Sequence, residues 1–184
     1  MVNRTEHDSL TRLSTAELRW RVLNGDGYTA GKRFVDVSNN DTKQLFINNT
    51  HDSIHIGIAN LLITAEGKVV FQPAFNVTED TEGDLADGPS NKRSKNGSTS
   101  VGEVRTGGDG ETGAYSGGRT LPEGFSGSGG SAVSRNPGNV KENGIAFAID
   151  PGDNMLIDVT NDSGSTGDIS IRFNWVDIPG RDYP

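Results

Sequence analysis

In residues 145–176 the large apolar side chains fall on every second position: Ile145, Phe147 and Ile149, then Met155, Ile157 and Val159, then Ile169, Ile171, Phe173 and Trp175. A period of two belongs to a β-strand with one buried and one wet face, because successive Cβ atoms point to opposite sides of the pleat. Asp150-Pro151-Gly152-Asp153 separates the first two runs with turn chemistry: Pro presets φ at the second position and Gly accepts positive φ at the third. The polar stretch 161–167 does the same for the next pair. Three strands so spaced predict an antiparallel meander over 145–176, and its aromatic inner face requires a second sheet to cover it.

The front of the chain repeats the pattern. Residues 1–14 are a polar arm. Glu17-Leu18-Arg19-Trp20-Arg21-Val22 alternates strictly and predicts a strand, Asn24-Gly25-Asp26-Gly27 is turn material, and strands are predicted over 33–37, 43–48, 53–64 and 68–78. Leu61-Leu62-Ile63 is apolar on both faces, as in a strand covered twice or entering a corner. In the last of these strands Phe71, Pro73, Phe75 and Val77 share a face, and Pro73, with no N–H for a ladder, predicts a sheet edge or a bulge. About eight strands in 184 residues predict a single all-β domain, a two-sheet antiparallel β-sandwich with the connectivity of a jelly roll.

Between the two groups of strands the composition changes. Residues 79–144 hold 16 of the 25 glycines, with much Ser, Asn and Asp. Ordering such a stretch costs about 1 kcal/mol or more of backbone entropy per residue, while its few large apolar side chains each return about 1.5–3 kcal/mol if fully buried. The stretch is therefore expected to be a long Gly/Ser-rich loop insertion that does not order itself, with one short strand near 100–105. It is expected to be mobile in a free subunit and to order against neighbours. Tyr115, Leu121 and Phe125, its largest apolar groups, are the candidate inter-subunit contacts, since large anchors dominate interface energy.

The candidate chemistry is thin. Gly108-Asp109-Gly110-Glu111-Thr112-Gly113 has the spacing of a dinucleotide loop, as has the 127–132 stretch with a terminal Ala, but no helical pattern follows either one to meet a pyrophosphate. His51 and His55, with Asp52, fall short of the three or four ligands a zinc site takes, the third His being His7 in the arm. The acidic run over 79–87 lacks the register of an EF-hand loop. There is no G-x-S-x-G elbow and no residue is nominated as acid, base or nucleophile, so no catalytic residue, cofactor or metal is assigned. Cysteine is absent, which excludes disulfide staples and thiolate chemistry. A formal charge of −8 argues against unaided binding to nucleic acid, and Lys92-Arg93-Ser94-Lys95 is too short for a nucleic-acid stripe. Acidity carried mostly by Asp, with little Lys, suits work in high salt.

An all-β pattern, a polar N-terminal arm, a Gly/Ser-rich insertion and the closing IDPGDNMLIDVTN and GDISIRFNWV runs together resemble small virion structural proteins. In particular they resemble the smaller single jelly-roll major capsid protein of icosahedral haloarchaeal viruses with an internal membrane. The resemblance implies a non-enzymatic subunit located in the virion. It would stand upright in an icosahedral shell and assemble with itself or a larger paralogue over a lipid vesicle, without direct contact with nucleic acid. The alternatives are a head-decoration, spike or tail component, and, in a different class, a carbohydrate-binding β-sandwich. The last would be expected to expose aromatic rings, whereas Trp20 and Trp175 both fall on inward faces.

Overall fold

The computed structural model describes residues 22–91, 99–126, 133–135 and 147–179. A helical turn over 22–24 leads into fourteen strands. In chain order they are β1 (Gly27–Val37), β2 (Thr42–Asn49), β3 (Ile54–Ala65), β4 (Val69–Phe75), β5 (Thr78–Thr81), β6 (Asp87–Asn91) and β7 (Gly102–Gly108). There follow β8 (Ala114–Ser116), β9 (Arg119–Thr120), β10 (Gly124–Ser126), β11 (Val133–Arg135), β12 (Phe147–Ile149), β13 (Asn154–Asn161) and β14 (Gly167–Pro179). Sheet A runs β11-β3-β14-β1-β6, with β12 also on β3. Sheet B runs β10-β4-β13-β2-β7, with β9 also on β4, and β5 and β8 form a separate pair.

The antiparallel pairs β1·β14, β2·β13, β3·β12 and β4·β10 match the first half of the chain, in order, with the second half in reverse. This is one long two-stranded ribbon wound into two sheets, and the further pairs β3·β14 and β4·β13 close each sheet. The fold is an all-β, two-sheet antiparallel sandwich of the jelly-roll type.

The inward row of each strand makes the core. Trp175 stacks on Tyr28 at 5.8 Å, and Phe173, Ile171, Ile169, Met155, Ile157 and Val159 are all buried with it. Every described residue of the alternating pattern in the last quarter is thus inward, and Gly152, at φ 77°, turns the chain where expected.

The meander is corrected. β12 and β14 lie in sheet A and β13 in sheet B, so the chain crosses between sheets at each turn and none of the three strands pairs with another. Alternation specifies which face a strand buries and is silent on its neighbour. The strand predicted over 17–22 lies outside the described residues except for Val22, which is in the helical turn. The strand predicted from 33 begins at Gly27, since Tyr28 pairs with Trp175. The strand predicted over 68–78 breaks at Asn76, whose φ of 54° ends β4 and sends Val77 away from the inward row.

Pro73 is not at a sheet edge: it faces Ile157 of β13, and its carbonyl accepts from Leu121 N–H on the other side. The ladder on that side is interrupted between β9 and β10, which is where its missing donor would point. Residues 79–144 are not one loop either. β7 pairs with β2 along its whole length, β6 adds to β1, and 84–86 lies along the free edge of β7 through Ala86 N to Val104 O and Thr106 N to Asp84 O. Side chains too few to order this segment are supplemented by backbone hydrogen bonds to two edges of the roll.

Candidate functional site

The loop 108–113 carries the string G-x-G-x-x-G, and it surrounds a cation. Lys43 ends the inward row of β2, 8% exposed. Its ammonium donates to Asp109 O, lies 3.6 Å from Glu111 Oε1 and sits 5.6 Å from the centre of the Phe34 ring. A phosphate loop turns N–H groups inward, whereas this one presents a carbonyl and a carboxylate to a lysine. The 127–132 stretch, the second string of this kind, lies outside the described residues, as do His7 and the basic cluster at 92–95.

His51 and His55 are not brought together as ligands. His51 Nδ1 accepts from the backbone N–H groups of Ser53 and Ile54, shaping the turn before β3, and His55 Nδ1 lies 3.0 Å from Asp150 Oδ1 across the sheet end. Among the described residues no group of three or more His, Asp or Glu side chains is placed to hold a metal ion. The acidic run is stapled by Arg105, which lies 2.6 Å from Glu82 and from Glu103 and donates to Gly83 O at 2.7 Å.

The three candidate contact residues part company. Tyr115 is 6% exposed and stacks on Phe46 at 4.4 Å in a second, smaller core with Ala74, Val77 and Leu156. Burial, with Glu79 adding to it, pushes its phenol up to about 12. Leu121 is half-buried beside β4, its carbonyl accepting from Gln72 Nε2. Phe125, on β10 opposite Val70, is 68% exposed at the outer strand of sheet B.

Two polar arrangements were not visible in the sequence. At one end of the sandwich Asp177, 7% exposed, accepts from Val101 N–H at 3.0 Å and Ser100 Oγ at 3.4 Å, while Trp175 Nε1 donates to Ser100 Oγ. Burial pushes the Asp177 carboxyl up to about 6, against the stabilising effect of those donors. The cluster ties the start of β7 to the end of β14.

The second arrangement is a groove of about 400 Å³ on the outer face of sheet A, between β6, β1 and β14. Thr29, Gly31 and Arg33 form the outward row of β1, Ser170 and Arg172 flank it on β14, and Asp87 and Ser90 on β6. Arg33 is occupied, holding Asp168 through Nε and Nη2, which keeps that carboxyl below the usual carboxylate range. Among the described residues Arg172 and Asp87 have no ion-pair or hydrogen-bonding side-chain partner.

No protein-family model matches the chain, and no curated protein matches its sequence.

Proposed function

We propose that the chain is a non-enzymatic structural subunit that assembles with copies of itself or a related chain. On the sequence resemblance, the assembly is the jelly-roll shell of a virion, built near an internal membrane. The observation that carries this reading is Phe125: a large aromatic side chain, 68% exposed on the outermost strand of sheet B, with half-buried Val70 beside it on the same row. An exposed aromatic is the residue type that anchors interfaces, and on a sheet edge it marks where a second subunit gains burial. At the opposite edge of sheet B, β7 is already covered by 84–86, which leaves the β10 edge for assembly.

The test is to follow the purified chain by light scattering and electron microscopy, at low and high salt, alone and mixed with a companion virion protein. Regular particles or capsomers are expected. Phe125→Ser is expected to change folding stability by less than about 0.5 kcal/mol, as for surface changes generally, and to prevent assembly. A chain that stays monomeric in every condition, or a Phe125→Ser variant that assembles normally, overturns the reading.

A further inference from the structure

We infer that the groove on the outer face of sheet A binds a sugar acid, one pyranose unit carrying a single carboxylate, with Arg172 as the carboxylate clamp and Asp87 as the hydroxyl acceptor. Position 31 must be Gly because β14 passes close to it: a Cβ there would lie 2.5 Å from the carbonyl oxygen of Ile171 and 3.0 Å from Arg172 Cα and Cβ, so β1 presents bare backbone to the groove beside Arg172. The register sets Gly31 opposite Arg172 on one side and opposite Asp87 on the other, so among the described residues the groove has an unengaged guanidinium on one bank and an unengaged carboxylate on the other. Ala30 and half-buried Lys32, on the alternate row of β1, line the groove as well.

The ligand class follows from what these groups lack. A guanidinium presents parallel N–H donors that fit a carboxylate in bidentate fashion. Asp87 accepts hydrogen bonds and repels a second negative charge, which selects a monoanion bearing hydroxyls over a phosphate dianion. The hydroxyls of Ser90 and Ser170 line the same space, and Thr29 Oγ1, which donates to Phe173 O, keeps lone pairs for a donor. Among the described residues no aromatic ring lines the groove, so a neutral sugar finds no stacking platform there and charge must supply the selectivity. A volume of about 400 Å³ is at the lower end for small-molecule sites, about 300–1,000 Å³, and suits one sugar unit rather than a long glycan. The site stands apart from Phe125 and does not rest on the assembly reading.

The experiment is a titration of the full chain with glucuronate, glucose and inorganic phosphate, followed by calorimetry and by backbone amide shifts of β1, β6 and β14. Glucuronate is expected to bind at least about tenfold tighter than glucose or phosphate, a difference of about 1.4 kcal/mol. Arg172→Gln is expected to lose at least that factor, and Asp87→Asn to weaken glucuronate while strengthening phosphate. Because neither side chain has a partner among the described residues, both variants should keep the wild-type circular dichroism and Tm, and both should assemble normally. Phosphate binding as well as glucuronate, unchanged affinity in Arg172→Gln, or no shift at about 10 mM glucuronate, the range of very weak sites, overturns the proposal. Loss of assembly in Arg172→Gln also overturns it, since the groove would then belong to an interface. Normal assembly without glucuronate binding removes this site and leaves the structural role standing.

Discussion

The interior between the two sheets and the small core on the outer face of sheet B are built on opposite principles. The interior draws one residue in two from each strand of the roll, so Tyr28, Phe173 and Trp175 meet although the chain between them winds through both sheets. The small core arises where the outward row is itself apolar: Phe46, Leu156 and Ala74 face away from the interior and are covered by Val77 and Tyr115 next to and on the β5·β8 pair. Among the described residues no such roof covers the outward row of sheet A, Thr29, Gly31, Arg33, Ser170 and Arg172, and the groove lies there. The insertion thus roofs sheet B through β5 and β8, while on sheet A its β6 lies beside β1 and forms one bank of the groove.

The comparison breaks first at Trp175. Trp175→Ala is expected to cost about 3–5 kcal/mol, as large-to-small core changes do, read from denaturant unfolding of the whole protein. A cost below about 1 kcal/mol would mean that the inward face is not a closed core. Tyr115→Ala is expected to cost less, about 2 kcal/mol for lost burial and ring stacking. Its effect should be local, with faster hydrogen exchange in 78–81 and 114–116 and unchanged protection in β13 and β14. If exchange rises equally throughout, the two cores unfold as one unit.

Asp177 gives the smallest effect and the most specific one. Burial raises its carboxyl to about 6, above the ordinary value of about 3.9. Between these values the folded state binds more protons than the unfolded one, so this group's contribution is fully present below about pH 4 and is lost as pH rises through about 6. Asp168, held low by Arg33, works in the other direction and only below the ordinary carboxylate range. Asp177→Asn should therefore flatten the dependence of Tm on pH between about 4 and 7, with Asp158, also raised by burial, retaining the residual slope. An unchanged slope would show that the tie between β7 and β14 does not depend on this carboxylate.

The faces of the strands were legible because alternation is a local property: Ile149, Met155, Ile157, Val159, Ile169, Ile171, Phe173 and Trp175 are all buried. Their partners were not, because pairing in a wound ribbon joins residues whose only shared signal is the pattern itself. The second core had only a partial signal. Leu45-Phe46-Ile47 and Met155-Leu156-Ile157 are apolar at three successive positions and are covered on both faces in sheet B, whereas the similar run Leu61-Leu62-Ile63 leaves Leu62 half-buried opposite Arg172 on sheet A. Such runs alone therefore could not assign Tyr115 to the chain's own packing rather than to a neighbour. The groove had no sequence signal, since Gly31, Asp87 and Arg172 are ordinary residues until register sets them side by side.

The place of β14 in sheet A also governs timing. It lies between β1 and β3 and is the last of the described strands in chain order, so during synthesis β1 and β3 emerge long before the strand that separates them. Until it arrives, two sheet edges stand open with a gap one strand wide between them, and Phe173 and Trp175, two of the five buried aromatic residues of the main core, are missing. Long-range pairing of this kind folds slowly and exposes strand edges to other chains. The most vulnerable interval for this fold is thus the stretch of translation between β3 and β14, when the strands on both sides of the central seam have been made and the seam has not.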